Sequence, residues 1–226
     1  MDFYVIRHAD PDYDNDTITE YGWKQAEALG KRLAEEKINY IYSSPLGRAQ
    51  ATAAPLARRL KKEVILMPWA SEIGLPVAYT PPSYLLEEDC LKRGFRWFEH
   101  ERYKDLPLAE ITAMAFSGLD CLLAVHGYRI QNDVYVADRP NDDKIALFCH
   151  GYIGSILLSH LFGLPMNRTW AGTCLWTTGV TKFHFEDTGN GYVPSCQYLN
   201  ERCHLADLPD PNFDKLPGTG RQEKAF

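Results

Sequence analysis

Short apolar runs and amphipathic stretches alternate along the first third of the chain. The apolar runs Phe3–Ile6, Tyr40–Tyr42 and Val64–Met67 have the length and composition of buried strands. Two stretches between them carry apolar residues at helical spacing, Trp23, Ala26, Leu29 and Leu33 in the first and Ala49, Thr52, Ala53, Leu56 and Leu60 in the second. We expect Thr19 to cap the first helix and the polar segment Asp10–Asp16 to be a loop. The β-α-β-α-β order predicts a mostly parallel sheet with crossover helices.

The alternation is interrupted between residue 78 and about residue 143. This region opens with Thr80-Pro81-Pro82 and contains two long stretches that we interpret as mainly helical, Ser83–Tyr103 and Pro107 to about Ala137. We interpret the region as a helical insertion over the sheet rather than as a separate domain.

The strand and helix pattern then returns. Ile145–Cys149 is an apolar run with the character of a strand. Ile153–Phe162 is an apolar stretch that we expect to form a helix, which Gly163 and Pro165 end. Val180–Phe185 and Tyr192–Leu199 flank a turn-rich segment and predict a β-hairpin. The fold class that we expect is α/β, with a mostly parallel central sheet, helices on both faces and the helical insertion. It forms one domain over residues 1–226, with an irregular tail from about residue 205 to 226.

Composition narrows the classes of partner. The net charge of −6 argues against nucleic acid or an anionic membrane as a partner. We find no apolar run near the roughly 20 residues of a membrane span and no signal peptide, so we expect a cytoplasmic protein. The cysteines are then expected to be reduced thiols; they are Cys90, Cys121, Cys149, Cys174, Cys196 and Cys203. A zinc site on Cys203 and His204 is the disfavoured alternative, because no close cysteine pair would anchor it.

Cationic and imidazole side chains follow the predicted strands. Arg7 and His8 come directly after the first strand, and His150 follows the strand at Ile145. Arg48 lies in the first turn of the helix that comes after Ser43-Ser44-Pro45. Because the carboxyl ends of parallel strands meet at one edge, we expect these four groups to share a crevice.

Two arginines and two histidines suit a phosphoryl group. Arginine donates in pairs and keeps its charge, and a neutral imidazole is a competent nucleophile. A carboxylic acid would protonate the leaving oxygen, and Glu72 lies just beyond the third strand. Glutamates of the insertion are rivals for that role: Glu87, Glu88 and Glu101. A salt-bridged strand end is the structural alternative for Arg7 and His8, and it is disfavoured because Arg48 and His150 complete the pattern.

The motifs together resemble the histidine phosphatase superfamily, also called the phosphoglycerate mutase-like family. The matching residues are Arg7-His8, Ile18-Thr19-Glu20-Tyr21-Gly22, Gln25-Ala26, Leu29-Gly30, the run from Ser43 to Ala53 (SSPLGRAQATA) and His150-Gly151. They cover the core at both ends of the chain but not the insertion. The dipeptide His150-Gly151 resembles the mutase-type branch rather than the acid-phosphatase branch.

The resemblance implies roles for single residues. It implies that His8 becomes a phosphohistidine, while Arg7, Arg48 and His150 hold the phosphoryl group and Glu72 donates the proton. We also count Thr19 among the phosphate-binding candidates. It implies a small phosphorylated substrate and neither a metal nor a cofactor. The sequence leaves a homodimer open.

One departure and two alternatives accompany the resemblance. The family often has Arg-His-Gly-Glu, where this chain has Arg7-His8-Ala9-Asp10 followed by Asp14-Asn15, so the loop is unusually acidic. Hydrolysis of a phosphomonoester is the favoured activity. The alternatives are a phosphoglycerate mutase, for which the insertion offers no dedicated carboxylate clamp, and a non-catalytic module that binds phosphorylated ligands.

The remaining histidines are expected to be structural or exposed; they are His100, His126, His160, His184 and His204.

Overall fold

A computed structural model describes residues 1–74 and 82–208 of the chain. The strands are β1 (Asp2–Arg7), β2 (Pro11–Asp12), β3 (Thr17–Ile18), β4 (Tyr40–Ser43), β5 (Val64–Leu66), β6 (Tyr128–Gln131), β7 (Val134–Ala137), β8 (Lys144–Cys149), β9 (Val180–Asp187) and β10 (Tyr192–Glu201). The helices are α1 (Glu20–Glu35), α2 (Gly47–Leu60), α3 (Pro82–Leu85), α4 (Glu88–Arg93), α5 (Leu108–Val125), α6 (Gly151–Phe162) and α7 (Met166–Gly172). Short 3₁₀ turns lie at Pro68–Ala70, Gly94–Glu99 and Cys203–Leu205.

Within the described residues the main sheet has eight strands in the order β5-β4-β8-β1-β9-β10-β7-β6. Strands β5, β4, β8 and β1 run parallel, and β9, β10, β7 and β6 continue the sheet with antiparallel pairing. The carboxyl ends of β1, β8 and β4 are therefore adjacent. The α/β prediction with its central parallel strands is confirmed, and the antiparallel half is an addition to it.

Alternate residues of the central strands pack into two apolar layers, one on each face of the sheet. Tyr4 and Ile6 of β1 face the side covered by α1 and α2, where Leu29, Leu33 and Leu56 pack against them. The opposite face of the sheet carries Phe3, Val5, Ile145 and Leu147, which pack with residues of α5, α6 and α7. The three-layer arrangement follows from this period of two, because successive strand side chains point to opposite faces.

Helix α1 begins where the sequence predicts it. The Thr19 side chain accepts a hydrogen bond from the Gly22 amide, which satisfies one of the free N–H groups of the first turn. The segment before it was expected to be a loop. It contains a four-residue turn closed by a short β2–β3 ladder, in which Pro11 pairs with Ile18 and Asp12 with Thr17.

The prediction of helix as far as Ala137 is wrong. Helix α5 ends at Val125, and the chain then forms the β6–β7 hairpin, whose Tyr135 pairs with Tyr192 of β10. The turn residues Asn132 and Asp133 have φ of 51° and 61°. Positive φ at both positions is the geometry of tight two-residue hairpins, and Asn and Asp tolerate it well. This part of the insertion extends the sheet rather than lying over it.

The predicted helical stretch Ser83–Tyr103 is broken into short pieces. Helix α4 ends at Arg93, because the next residue, Gly94, has a φ of 55° that ordinary residues rarely adopt, and a 3₁₀ turn follows. Residues 78–81 of the predicted insertion and residues 209–226 of the predicted tail lie outside the described residues.

Helix α5 is strongly apolar. Its 18 residues have a mean hydropathy of 1.6, so by length and composition alone it could cross a membrane, and 28% of this window is buried. The expectation that no apolar run approaches the length of a membrane span is wrong for this stretch, by length and composition alone. Its buried residues, which include Leu108, Ala115 and Leu119, belong to the core on the second face of the sheet.

Helix α5 also touches the turn that leads to Glu72. A Cβ atom at Gly118 would lie 2.4–2.9 Å from ring atoms of Trp69, which belongs to the 3₁₀ turn Pro68–Ala70. Only a residue without a side chain allows this approach. The insertion therefore helps to fix the segment that carries Glu72.

We predict that Gly118→Ala lowers the free energy of unfolding by about 1–3 kcal/mol, because the Trp69 ring must move in a packed core. Urea denaturation measures the change. Gly172→Ala in α7 is the matched control, since its added methyl meets no atom within 4 Å, and we expect it to be neutral or slightly stabilising. An unchanged unfolding free energy in Gly118→Ala would contradict the packing constraint.

Candidate active site

His8 lies at the carboxyl end of β1 and is 2% exposed. Its amide donates to the Cys149 carbonyl at 2.9 Å, which continues the ladder between β1 and β8. Its Nδ1 lies 2.7 Å from the Ala9 carbonyl oxygen. A carbonyl only accepts hydrogen bonds, so Nδ1 carries the proton and Nε2 keeps its lone pair. The side chain is thus held in the form that a nucleophile needs.

The charge state of His8 suits the same role. Burial is the main cause that lowers the pKa of His8 well below its ordinary value, and the guanidinium charges of Arg7 and Arg48 act in the same direction. The imidazole is therefore neutral at neutral pH, and its lone pair is available for attack.

His150 faces His8 from the next strand. It follows β8, is fully buried, and its ring centroid lies 5.1 Å from that of His8. Its Nε2 lies 2.7 Å from Ser44 Oγ, and Ser44 itself follows β4. Burial and the charges of Arg48 and Arg7 lower the pKa of His150 to about 2. Its Nδ1 is buried with no partner among the described residues, so one ring nitrogen remains to contact a ligand.

Arg7 is anchored by the segment between α7 and β9. Its Nη1 donates to the Leu175 carbonyl at 2.5 Å, and its Nε is buried without a partner in the described part of the chain. A Cβ at Gly151 would lie 3.6 Å from Arg7 Cζ, so the guanidinium lies beside the start of α6. The Leu175 carbonyl is itself fixed by Asn200 of β10, which accepts from the Trp176 amide at 2.9 Å and donates to the Cys174 carbonyl.

Arg48 lies in the first turn of α2 and is 9% exposed. Its Nη1 donates to Asp16 Oδ1 at 2.7 Å, and its Nε is buried with no partner among the residues described. The Thr52 hydroxyl links Arg48 to the residue after His8, because it donates to the Arg48 carbonyl at 2.7 Å and accepts from the Ala9 amide at 2.9 Å. The Arg48 charge accordingly lowers the pKa of both imidazoles. The structure therefore brings the four predicted groups at the strand ends together.

Glu72 lies against the beginning of α6, the helix that starts directly after His150. Its carboxylate accepts from the amides of Tyr152 and Ile153, each at 3.2 Å, and from that of Ile73 at 3.2 Å. Burial raises its pKa, while these hydrogen bonds and the Arg7 charge act in the opposite direction. A raised pKa favours the protonated form that a general acid needs.

The rival glutamates have other partners. Glu88 pairs with Lys92 and Glu101 with Lys104, and both carboxylates are 82% exposed. Glu87 lies 3.4 Å from Arg102. The assignment of the proton donor to Glu72 stays a prediction, but of the four glutamates it is the one in contact with the helix that follows His150.

The Thr19 hydroxyl has structural partners. It accepts from the Gly22 amide at 3.0 Å and donates its hydrogen to Asp10 Oδ2 at 2.8 Å. In this arrangement it has no hydrogen left to donate to a phosphoryl oxygen. Its capping role is confirmed, and its role as a phosphate ligand stays a prediction.

The other histidines have contacts outside this pocket. His126 lies 2.9 Å from Tyr42 Oη, and His160 lies 2.7 Å from Asp120. His184 lies 2.7 Å from Asp2, His204 lies 3.1 Å from Thr178, and His100 is 3.8 Å from Glu87. In residues 1–74 and 82–208 no group of three or more His, Cys, Asp or Glu side chains could hold a metal ion, so the zinc alternative at Cys203 and His204 gains no further ligand there.

Sequence reasoning missed three residues that organise the site. Ser44 was noticed only as part of a loop, although its hydroxyl contacts His150. Asp16 and Asn200 hold the two arginines directly or through the backbone. Asp16 belongs to the acidic loop that the family resemblance leaves unexplained. Asn200 carries no such signal, because its partners lie more than 20 residues away in the sequence.

Comparison with known proteins gives one consistent result. The family model described as Histidine phosphatase superfamily (branch 1) matches residues 3–195. Phosphoserine phosphatase 1 of Hydrogenobacter thermophilus is 24% identical over 90% of this chain and 94% of its own length. The protein named Probable phosphoglycerate mutase GpmB of Yersinia enterocolitica is 26% identical over 73% of this chain and 76% of its own length. A crystal structure of phosphoserine phosphatase from Entamoeba histolytica, in complex with 3-phosphoglyceric acid, has a TM-score of 0.65 at 22% identity. It covers 90% of this chain and 98% of its own, and it shows the shared fold.

The lowered pKa of His150 leads to a prediction about how the stability of the folded state depends on pH. As the pH falls below about 6.5, the unfolded chain takes up a proton on this imidazole before the folded chain does, so the folded state loses stability by about 1.4 kcal/mol per pH unit. By pH 5 the loss from His150 reaches about 2 kcal/mol. We expect His150→Gln to reduce the difference in unfolding free energy between pH 7.5 and pH 5.0 by about that amount.

Urea denaturation at the two pH values measures this difference. His184→Gln is the control, because His184 lies on the surface with its side chain 46% exposed. A pH dependence that is the same in wild type and His150→Gln would contradict the assignment of a buried, neutral His150.

Proposed function

Because the chain belongs to the histidine phosphatase superfamily, we propose that it hydrolyses a phosphomonoester through a phosphohistidine formed on His8. The observation that carries the proposal is His8 Nε2, which keeps its lone pair because Nδ1 is bound to the Ala9 carbonyl. Two guanidinium groups and His150 surround it. The substrate is a small phosphorylated metabolite, as the names of the phosphatase relatives suggest.

The proposed reaction has two steps. In the first, His8 Nε2 attacks phosphorus, the P–O ester bond breaks, and the leaving oxygen takes the proton of Glu72. In the second, water attacks phosphorus and gives a proton to the Glu72 carboxylate, while the P–N bond breaks to restore His8. Arg7, Arg48 and the free Nδ1 of His150 stabilise the charge on the phosphoryl oxygens in both steps.

A mutase is the second candidate. It would need cations in the insertion to hold the substrate carboxylate and water to be excluded from the phosphohistidine. Five cations of the insertion each pair with a neighbouring acid: Lys92 with Glu88, Arg93 with Asp89, Arg96 with Glu99, Arg102 with Glu87 and Lys104 with Glu101. This pairing favours hydrolysis over mutase activity.

The residues of the same site disfavour the third alternative, a non-catalytic module that binds phosphorylated ligands. Such a module has no use for a nucleophile, and we would expect His8 or Arg48 to be replaced. Both are present. Cytoplasmic location, independence from metals and a homodimeric state remain predictions.

We predict that His8→Ala abolishes turnover of p-nitrophenyl phosphate, because it removes the imidazole whose Nε2 lone pair attacks phosphorus. His184→Ala, which removes an exposed histidine outside the pocket, should turn over at the wild-type rate. Unchanged activity in His8→Ala would refute the nucleophile assignment.

Phosphate release and conversion of 3- to 2-phosphoglycerate should be measured side by side on a panel of phosphometabolites. Fast isomerisation with little phosphate release would establish the mutase instead.

Glu72→Gln gives a separate prediction. p-Nitrophenolate leaves without protonation, so His8 should still be phosphorylated, whereas the second step loses its base. We expect a burst of about one equivalent of p-nitrophenol, followed by turnover slower by ~10²–10⁴-fold. Rapid-mixing absorbance measurements detect the burst. Glu101→Gln is the control, because Glu101 is an exposed partner of Lys104. Wild-type steady-state turnover in Glu72→Gln would move the acid–base role to another residue.

A further inference from the structure

The acidic loop after His8 contains a carboxylate that touches the phosphate-binding machinery. Asp16 Oδ1 accepts from Arg48 Nη1 at 2.7 Å, and its Oδ2 accepts from the Gly47 amide at 2.7 Å. Both carboxylate oxygens are thus bound by donors on two successive residues at the start of α2. Two such contacts fix the orientation of the carboxylate as well as its position.

The backbone of Asp16 is fixed together with its side chain. A Cβ at Gly47 would lie 2.0 Å from the Asp16 carbonyl oxygen, so α2 can approach this loop only because Gly47 has no side chain. Asp16 itself has a φ of 44°, which aspartate tolerates better than most residues. The β2–β3 ladder closes the loop that carries it.

The same loop covers Arg48 from a second direction. The Tyr13 ring lies 5.4 Å from the Arg48 guanidinium carbon, within the range of a cation–π contact. The Asp16 side chain is 46% exposed, whereas that of Arg48 is 11% exposed. Asp16 therefore holds the outer side of the arginine, towards solvent, and Arg48 Nε remains buried and without a partner in the described part of the chain.

We propose that Asp16 is a positioning residue that holds Arg48 by Nη1, so that its remaining donors, Nε and Nη2, are aligned to receive the phosphoryl group. This inference rests on the proposed function. It gives the acidic loop a role that acts through the arginine rather than by contact with phosphate. An arginine rotamer that is fixed before binding costs less conformational entropy when the ligand arrives.

A double-mutant cycle tests the proposal, with kcat/KM for p-nitrophenyl phosphate and inhibition by inorganic phosphate as readouts. We expect Asp16→Ala to lower kcat/KM by ~10–100-fold, because a misplaced donor loses much of its effect, and to weaken phosphate inhibition. In an Arg48→Ala background, Asp16→Ala should change kcat/KM by less than about 3-fold, because the arginine on which it acts is gone. Equal effects in the two backgrounds would show a purely structural role at the Gly47 amide and would overturn the proposal.

Two further variants sharpen the result. Asp16→Asn keeps an oxygen acceptor for Arg48 but cannot also accept from the Gly47 amide, so it should recover most of the activity lost in Asp16→Ala. Asp14→Ala removes one negative charge from the same turn at an exposed position that is not bonded to Arg48, and we expect it to match wild type within about 2-fold. A loss in Asp14→Ala as large as that in Asp16→Ala would assign the effect to loop charge and overturn the proposal.

The experiment also separates this inference from the proposed function. Faster turnover or tighter phosphate inhibition in Asp16→Ala would identify Asp16 as a competitor of the substrate and would overturn the positioning role while leaving the phosphatase intact. Absence of turnover and of phosphate binding in the wild type would refute the proposed function itself.

Discussion

Repulsion among cationic groups in a buried pocket is the constraint on which this site depends. Two guanidinium groups lie close to two imidazoles at the end of the parallel strands, away from most solvent. Burial, reinforced by the charges of the two arginines, keeps both imidazoles neutral, which is the form that the proposed nucleophile His8 needs. The arginines cannot lose their charge, so each is bound by an oxygen: the Leu175 carbonyl for Arg7 and the Asp16 carboxylate for Arg48. A phosphoryl group brings negative charge that offsets the charge of the two guanidinium groups.

Much of this arrangement can be predicted from sequence, because the carboxyl ends of parallel strands meet. Residues that follow β1 and β8 in the chain, such as His8 and His150, must then be neighbours. The β6–β7 hairpin was missed although Asn132-Asp133 is a turn signal, because the apolar residues of Tyr128–Ala137 were interpreted as a continuation of helix α5. The anchors of the arginines could not have been found in the same way. Asp16 is 32 residues from Arg48, and the Leu175 carbonyl is 168 residues from Arg7, so only the folded chain brings them together.

Glu72, the proposed proton donor, illustrates how two opposing effects set the protonation state of one group. Burial favours the neutral acid at Glu72, whereas three backbone N–H groups favour the carboxylate. A group balanced in this way can give up a proton in one step of a reaction and take it back in the next. Two of these N–H groups belong to the start of α6, which His150 precedes, so this helix positions both the proposed acid and the proposed phosphate ligand.

The position of β1 in the sheet has a consequence for synthesis of the protein. This strand, the first in the chain, lies between β8 and β9, which begin at Lys144 and Val180. A ribosome therefore releases the segment bearing His8 long before either neighbouring strand exists. Until then the apolar run has two open edges, each able to pair with another nascent chain. Closing such distant contacts is also slow compared with helix formation. The pocket around His8 can assemble only when nearly all of the described chain has emerged, so an unfinished polypeptide carries the proposed nucleophile without the groups that surround it in the folded chain.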